Sequence, residues 1–466
     1  MPMRSIRCWG EEYAMLEHNT IQSYLETVAS QIRWKRARPI ITLELERHIE
    51  DQRDAFEAEG HENAEQLALA EMGDPVTLGV KLDSVHRPVP QYGSLAITIL
   101  FALFGAILRI WLTADWARSY MDIDPFKTLL AFASGCTALL LGYFLDCSQL
   151  GLHGRKVYLG ALFMGVVALF FSPRIGGVSY YTRYVALCYP VVYAFWLYTC
   201  RGKGWMGLLL SVIGGIPFAL ICMLTPNMFG LLMLLVTGFL LLLMAAWNNW
   251  FELGRRNSLL SVILCAAVMV GTGLYYFLSS GYGIRRFRIA LHPEQDPFGA
   301  GYQAYAIRKV LAISKWFGEG TWSPEISAYP FEKTVPGCES DALLTTLIYR
   351  LGWLPFLMLM MMFVVLVGLL AYRCFKHKSQ LGKAVALAVV ITLCIQALCS
   401  AAYNIGFTLL SAAFPMVIGD LNTVFNMWLI GLALSVFRGG SIARDYARDE
   451  KSLLLRCRIK ILVQKC

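Results

Sequence analysis

Charged residues are scarce in this chain: only 16% of its 466 residues are Asp, Glu, Lys or Arg, whereas 57% are hydrophobic. Soluble globular proteins carry about 25% charged residues, so the composition excludes an ordinary soluble enzyme and indicates a membrane protein. The net charge is +9. In a membrane protein this excess is interpreted loop by loop, because Lys and Arg mark cytoplasmic segments.

Paired cysteines and clustered histidines are also missing. The thirteen cysteines are scattered singly, mostly within apolar runs, and no CxxC pair occurs among them. The seven histidines do not gather at the spacing of zinc ligands. The cysteines and histidines therefore indicate neither a disulfide framework nor a zinc site. No pattern suggests nucleic-acid binding, and we expect no nucleic-acid partner.

Residues 1–90 show the periodicity of a small soluble helical domain. Their apolar spacing predicts helices over 21–32, 43–56 and 63–72, and a fourth helix that begins at Pro75. Gly60 suits the end of the second helix, and Asp74 suits the N-cap of the fourth. Pro75 suits its first position, where a backbone N–H would lack a partner in any case.

Ten apolar runs follow, over 94–113, 128–146, 157–172, 184–200, 205–225, 228–247, 258–280, 353–372, 384–402 and 421–437. Each approaches the ~20 residues that a helix needs to span the hydrocarbon of a membrane. Basic residues gather in the even-to-odd loops and after the last run, as at Arg155, Arg201, Arg255, Arg373 and Arg438. The positive-inside rule therefore predicts that both termini are cytoplasmic.

The stretch 281–352 is the only long polar segment after residue 90, and this topology predicts that it lies outside. The runs themselves contain almost no ionisable residue, apart from Arg109 and Asp146 near their ends. Ion-coupled carriers place charged groups at mid-membrane sites, so the absence of such groups weakens the hypothesis of an ion-coupled transporter. Chemistry is therefore expected at the outer face.

Asp341 is the sharpest candidate within this loop. It directly precedes the apolar sequence Ala-Leu-Leu-Thr-Thr-Leu-Ile, which predicts a position at the mouth of the eighth span. An acid there is partly desolvated, which favours a role as a general base. From the residues alone, an ordinary helix N-cap is the better explanation of Asp341.

The sequence between the seventh and eighth runs resembles the SEDS family of shape, elongation, division and sporulation proteins (FtsW, RodA and SpoVE). The block DPFGAGYQ, from Asp296 to Gln303, carries the most specific part of the resemblance. Further matches in family order are Arg288, Pro293, Phe317, Gly318, Gly320, Pro336, Asp341, Leu351, Gly352 and the Asn404-Ile405-Gly406 turn. The N-terminal pattern, with its AEG and GDP segments, resembles the permease prefix (HAAS-like) domain.

The SEDS resemblance implies a peptidoglycan glycosyltransferase that polymerises lipid II at the outer face of the bacterial cytoplasmic membrane and releases undecaprenyl pyrophosphate. It implies a class B penicillin-binding protein as the transpeptidase partner, and a divalent cation (Mg or Mn) as a candidate cofactor. The loop acid, Asp341, corresponds to the general base. Substrate binding falls to Arg183, Arg288, Asp296, Gln303 and Lys315.

Several family positions differ in this chain. The family's RW…QPSE..K becomes Arg183-Tyr184 followed by Cys188-Tyr-Pro190, without the Glu or the Lys. Its PD.G and EELG become Pro226-Asn227-Met-Phe-Gly230 and Tyr349-Arg350-Leu351-Gly352, and its PFISYGGSS becomes Pro415-Met-Val-Ile-Gly-Asp420. Two alternatives to an active polymerase therefore stay open: a catalytically degenerate scaffold or regulator of a cell-wall synthase, and a flippase for a lipid-linked precursor.

The predicted fold is an all-α polytopic membrane protein with ten transmembrane helices and one large extracytoplasmic loop, preceded by a small soluble helical domain. Its predicted parts are a cytoplasmic prefix domain over 1–90, a ten-helix membrane domain over 91–440 that includes the loop 281–352, and a basic cytoplasmic tail over 441–466.

Overall fold

The computed structural model describes residues 20–439, except for 36, 115–124, 176–177, 280, 324–326, 328, 378 and 418–419. The chain forms two compact units that separate between Pro90 and Gln91. The predicted tail over 441–466 lies outside the described residues, and the predicted domain limits stay predictions.

The N-terminal unit consists of four helices: α1 (Ile21–Gln31), α2 (Arg38–Ala58), α3 (Ala64–Met72) and α4 (Pro75–His86). The predicted cap is confirmed, because an Asp74 carboxylate oxygen accepts the Thr77 N–H at 2.8 Å with Pro75 in the first turn. Gly60 follows α2 with a φ of +87°, a left-handed conformation that glycine adopts without strain. Side chains of α1, α2 and α3 form the core of this unit, with Tyr24, Val28, Ile32, Ile49 and Ala68 buried.

The second unit begins with α5 (Tyr92–Thr113), α6 (Pro125–Phe144), α7 (Cys147–Leu152) and α8 (Gly154–Phe171), followed by the two-residue strands β1 (Arg174–Ile175) and β2 (Val178–Ser179). The strands pair antiparallel, with Arg174 opposite Ser179. The chain then forms α9 (Tyr180–Val185), a 3₁₀ turn (Ala186–Cys188), α10 (Tyr189–Thr199), α11 (Gly204–Leu224), α12 (Met228–Trp247) and α13 (Arg255–Ser279). The polar loop and the last spans follow α13.

The polar loop folds into a series of short helices. They are α14 (Gly281–Leu291), a 3₁₀ turn (Pro293–Gln295), α15 (Tyr302–Ile313), α16 (Phe331–Thr334) and α17 (Leu343–Leu351). Three long helices complete the unit: α18 (Trp353–Lys376), α19 (Gln380–Asn404) and α20 (Leu421–Arg438). An aromatic and aliphatic cluster that includes Ile307, Phe331, Val335 and Tyr349 packs the loop helices together.

Among the described residues, nine helices are long and apolar enough to cross a membrane: α5, α6, α8, α11, α12, α13, α18, α19 and α20. They correspond to nine of the ten predicted spans. The fourth run is different, because it breaks into pieces of six, three and eleven residues. Pro190 explains the break: its ring clashes with the carbonyl four residues earlier and has no N–H to donate, so the preceding turn tightens to 3₁₀ geometry.

The last two spans form the centre of the second unit. In the most apolar windows of α19 and α20, 61% and 72% of the residues are buried, compared with 11% in α13. A side chain on α19 or α20 therefore faces other helices, and its polar groups need partners there. Residues from these two helices hold the site described next.

Candidate active site

Asp341 lies at the end of a tight turn that precedes α17. Gly337 starts the turn with a φ of +70°, and its carbonyl accepts the N–H groups of Ser340 and Ala342. Asp341 does not directly precede the eighth span, because α17 and Gly352 separate it from α18 along the chain. The apolar sequence after Asp341 forms a separate short helix, which ends where Gly352 adopts a φ of +101°.

The capping interpretation of Asp341 is also wrong. The N-cap of α17 is Ala342, and this cap makes no side-chain hydrogen bond. The Asp341 carboxylate instead accepts hydrogen bonds from Arg183 Nη2, at 2.9 Å to Oδ1 and 3.0 Å to Oδ2. The Ser411 hydroxyl donates a further hydrogen bond to Oδ2. Three separate segments of the chain therefore meet at this carboxylate.

The Arg183–Asp341 ion pair is only partly enclosed. The Arg183 side chain is 31% exposed and the Asp341 side chain 20% exposed. A solute can therefore reach the pair, while the protein still shields it enough to strengthen its electrostatic interactions. This combination suits a site that binds a polar substrate from the adjoining solvent.

The backbone of Asp341 is held by Asn404, the last residue of α19. Asn404 Nδ2 donates to the Asp341 carbonyl at 2.9 Å, and Asn404 Oδ1 accepts the N–H and the hydroxyl of Thr345 at 2.8 and 2.9 Å. Asn404 and Thr345 are fully buried. One amide group thus supplies hydrogen-bond partners to the Asp341 carbonyl and to the Thr345 N–H in the first turn of α17, where N–H groups lack partners within the helix. This contact gives the Asn-Ile-Gly turn a structural purpose.

A second acid, Asp420, belongs to the same region, and the sequence interpretation did not assign it a role. Its Oδ2 accepts the Tyr184 hydroxyl at 2.9 Å, and its Oδ1 accepts the Asn422 N–H at 2.8 Å. Burial raises the pKa of Asp420 above its ordinary value, against the opposing effects of these hydrogen bonds and of the Arg109 and Arg183 charges. The sequence signal for Asp420 is its position as an acid among apolar residues directly before the last apolar run.

Gln303 approaches the site from α15, and Asp296 stabilises its own loop. Gln303 Nε2 donates to the Pro336 carbonyl at 2.9 Å, next to the turn that carries Asp341. One Asp296 oxygen accepts the Ala300 N–H at 3.2 Å. The conspicuous DPFGAGYQ block is thus explained in large part by the folding of the loop.

Arg288 and Lys315, the other two predicted binding residues, are exposed and lie on other segments of the loop. Arg288 is in the last turn of α14, and Lys315 follows α15. Among the hydrogen bonds and ion pairs of the described residues, those of Asp341 lead to Arg183, Ser411 and Asn404, and not to Arg288 or Lys315.

The segment FGEG packs against the junction between α17 and α18. The N–H groups of Gly318 and Gly320 donate to the carbonyls of Leu351 and Tyr349, both at 2.8 Å. A Cβ atom at Gly352 would lie 2.6 Å from the Trp316 carbonyl oxygen, so only glycine fits there. The glycines of this region therefore set the position of α17.

The positions that depart from the family pattern have structural roles of their own. Asn227 caps α12, with its Oδ1 accepting the Gly230 N–H at 2.9 Å. Tyr349 stacks on Phe331 with ring centroids 4.7 Å apart. Pro190 shapes the broken fourth segment. These residues stabilise the local fold and do not restore the missing Glu and Lys.

The part of the chain that the structure describes contains no group of three or more His, Cys, Asp or Glu side chains able to hold a metal ion. Asp341 has both carboxylate oxygens in hydrogen bonds with the protein. These residues do not form a ready cage for the divalent cation that the family resemblance implies.

Comparison with known proteins decides the family. The family described as "Cell cycle protein" (FtsW, RodA, SpoVE) matches residues 194–437, which is more than half of the chain. The chain belongs to the FtsW/RodA/SpoVE family. The matched range includes Asp341, Asn404 and Asp420. The resemblance of residues 1–90 to a permease prefix domain stays a prediction.

Two curated FtsW proteins show the extent of the similarity. A probable peptidoglycan glycosyltransferase FtsW from Trichlorobacter lovleyi is 23% identical over 217 residues, covering 43% of this chain and 56% of that protein. The corresponding protein of Aliivibrio salmonicida is 29% identical over 138 residues, covering 28% of this chain and 34% of that protein. The chain thus matches about half, or less, of the length of these relatives.

A solved structure shares the fold. Its published description is "Structural coordination of polymerization and crosslinking by a peptidoglycan synthase complex". The alignment has a TM-score of 0.57 at 15% identity and covers 75% of this chain and 98% of that chain. The prediction of an all-α polytopic membrane protein is therefore confirmed, with the fourth segment broken as described above.

Proposed function

We propose that this FtsW/RodA/SpoVE protein is a peptidoglycan glycosyltransferase that polymerises lipid II. The observation that carries the proposal is the partly exposed carboxylate of Asp341, which Ser411 and the backbone contact from Asn404 hold beside the Arg183 guanidinium. Family membership and the names of the FtsW relatives support the reaction class. A class B penicillin-binding protein is the proposed partner, because the related solved structure is described as coupling polymerization with crosslinking.

The proposed topology places Asp341 outside the cytoplasm. Basic residues in the even-to-odd loops favour cytoplasmic termini, provided that the broken segment from Tyr180 to Thr199 completes a crossing. The reaction then takes place at the outer face of the bacterial cytoplasmic membrane. The polyprenyl tails of the substrate would lie along the apolar helices, and its sugars and pyrophosphate would reach the polar loop.

Asp341 acts in this proposal as a general base. Its carboxylate accepts the proton of the sugar 4-hydroxyl of one lipid II molecule. The resulting oxygen nucleophile forms a bond to the anomeric carbon of the second glycan chain. The bond from that carbon to the pyrophosphate oxygen breaks, and undecaprenyl pyrophosphate leaves with the electron pair.

The hydrogen bonds of Asp341 add a requirement to this mechanism. Arg183 Nη2 contacts both carboxylate oxygens, and Ser411 contacts one of them, so a substrate hydroxyl needs room at the carboxylate. A pyrophosphate is a strong acceptor for a guanidinium and competes with the carboxylate for it. We infer that the pyrophosphate weakens the bonds from Arg183 Nη2 to the carboxylate and frees one oxygen of Asp341 to accept the proton, while Arg183 stays beside the acid.

The remaining binding residues have different tasks in this scheme. The exposed cations Arg288 and Lys315 are proposed to attract the anionic substrate from the surface of the loop. Asp296 and Gln303 are proposed to contribute by keeping the loop in shape, since both bond to loop carbonyls or N–H groups.

Polymerisation of lipid II by the purified full chain, with its class B partner, tests the proposal. Wild type is expected to form glycan polymer, and Asp341→Asn is expected to lose activity by about a hundredfold or more, as is typical for removal of a general base. Glu294→Gln is the matched control, because it changes an exposed acid of the same loop. Equal activity of wild type and Asp341→Asn would show that Asp341 is not the base, and an inactive wild type would favour a scaffold.

A further inference from the structure

Two consecutive residues of α9 bind two different acids. Arg183 contacts Asp341 in the loop, and the Tyr184 hydroxyl donates to Asp420 Oδ2 at 2.9 Å at the start of α20. Successive residues of a helix point about 100° apart, so one short helix reaches both acids at once. The orientation of α9 therefore determines whether Arg183 can face Asp341.

α9 is too short to fix its own orientation. It has six residues, whereas isolated helices of fewer than about 12 residues are marginal in water. The chain flanking α9 consists of a two-residue strand on one side and a 3₁₀ turn on the other. Contacts from other elements must therefore hold α9 in place.

Tyr184 supplies such a contact. Its side chain is buried, and its ring stacks on Phe425 of α20 with centroids 6.3 Å apart. Asp420 is itself held, because its Oδ1 accepts the Asn422 N–H and its carbonyl accepts the Thr423 N–H at 3.0 Å. The first turn of α20 thereby anchors α9 through a hydrogen bond and a ring contact.

We propose that Tyr184 and Asp420 are positioning residues that hold Arg183 against Asp341. In terms of the proposed function, on which this role rests, the pair keeps the cation and the base of the glycosyltransferase at the right separation. The contribution of Asp420 is that of a hydrogen-bond acceptor. An Asn at position 420 retains an acceptor oxygen, whereas a Leu does not.

A first experiment measures positioning without any activity. The apparent unfolding temperature of the purified full chain is measured for wild type, Arg183→Met, Asp341→Asn and the double variant. The coupling between the two side chains is the difference between the shift in the double variant and the sum of the shifts in the two single variants. This coupling is expected to fall by half or more in Tyr184→Phe and Asp420→Leu backgrounds. It is expected to stay unchanged in Asp420→Asn.

Tyr158→Phe is the matched control background. It also removes a tyrosine hydroxyl that donates to a buried carbonyl, that of Gly214 at 2.9 Å, but it does so on α8. General destabilisation would reduce the coupling in this background as well. An Arg183–Asp341 coupling that is the same in wild type, Tyr184→Phe and Asp420→Leu would overturn the proposal, as would an equal loss in Tyr158→Phe.

A second experiment measures lipid II polymerisation with the class B partner. Tyr184→Phe is expected to lower kcat about tenfold or more with little change in KM, because a misplacement of about 1 Å can cost up to about a hundredfold. Asp420→Asn is expected to retain most of the activity. An unchanged kcat in Tyr184→Phe would overturn the positioning role. An inactive wild type would refute only the proposed glycosyltransferase function. The coupling experiment would still decide whether Tyr184 and Asp420 position Arg183.

Discussion

Replacement of Asn404 by Leu is the most direct test of how Asp341 is held. Leu has a similar volume but cannot hydrogen-bond. It would leave the Thr345 N–H and the Asp341 carbonyl without the partners that they have in the folded protein. The carbonyl of Ser400, another acceptor of the Asn404 amide, keeps its helical hydrogen bond within α19.

The cost follows from the two groups that lose their partner. Each unsatisfied buried group costs about 1–3 kcal/mol, and the Asp341 carbonyl falls in the lower part of this range because its residue is partly exposed. The total is about 2–4 kcal/mol, which is a large share of the ~5–15 kcal/mol by which a folded protein is usually stable. We expect the turn at Asp341 and the first turn of α17 to open more often.

Cys338 provides a local probe of this opening. Its side chain is fully buried, and its carbonyl accepts the Thr346 hydroxyl at 2.8 Å. Because labelling of a buried thiol requires local opening, a cost of about 2–4 kcal/mol raises the labelling rate by a factor of about 30 to 700, since each 1.4 kcal/mol is tenfold. The assay is reaction of the native protein with a maleimide, followed by mass spectrometry of the Cys338 peptide.

A control variant separates the effect of the Asn404 amide from that of the Thr345 hydroxyl. Thr345→Val removes one hydroxyl but leaves the backbone N–H and its bond to Asn404 Oδ1 in place. Its expected cost is about 0.5–1.5 kcal/mol, typical of one lost hydrogen bond. If Asn404→Leu labels Cys338 no faster than Thr345→Val, the assigned role of the Asn404 amide is refuted.

Two further predictions concern stability. Gly352→Ala is expected to lower the apparent unfolding temperature, because a non-glycine residue at φ +101° costs about 1–3 kcal/mol before its Cβ clash is counted. Gly281→Ala is the control and is expected to have little effect, because the space around its Cβ is open. Similar shifts of the unfolding temperature in both variants would contradict this prediction. Because burial raises the pKa of Asp420, the folded state binds this proton more tightly than the unfolded state, and the contribution of Asp420 to stability falls as the pH rises from about 4. Asp420→Asn is therefore expected to gain stability relative to wild type as the pH rises, and parallel unfolding temperatures from pH 4 to pH 8 would disprove this.

The sequence by itself determined the features that depend on neighbouring residues along the chain. Long apolar runs form spanning helices because only a hydrogen-bonded helix of sufficient length satisfies its backbone in hydrocarbon. The Asp74 cap and the turn at Gly60 depend on a few adjacent residues, and both were predictable. Asp341 was singled out because it is the acid that matches a family pattern.

Tertiary structure decided what Asp341 contacts. Its partner Arg183 lies 158 residues away along the chain, and Tyr184 lies 236 residues from Asp420. No local pattern specifies such pairs, because they depend on how α9, α19 and α20 pack. The folding of the loop likewise places a separate helix, α17, between Asp341 and α18 along the chain, because the left-handed φ of Gly352 ends α17 before α18 begins. The chemistry of the acid could thus be suggested from the sequence, but its hydrogen bonds and its second acid required the packed helices.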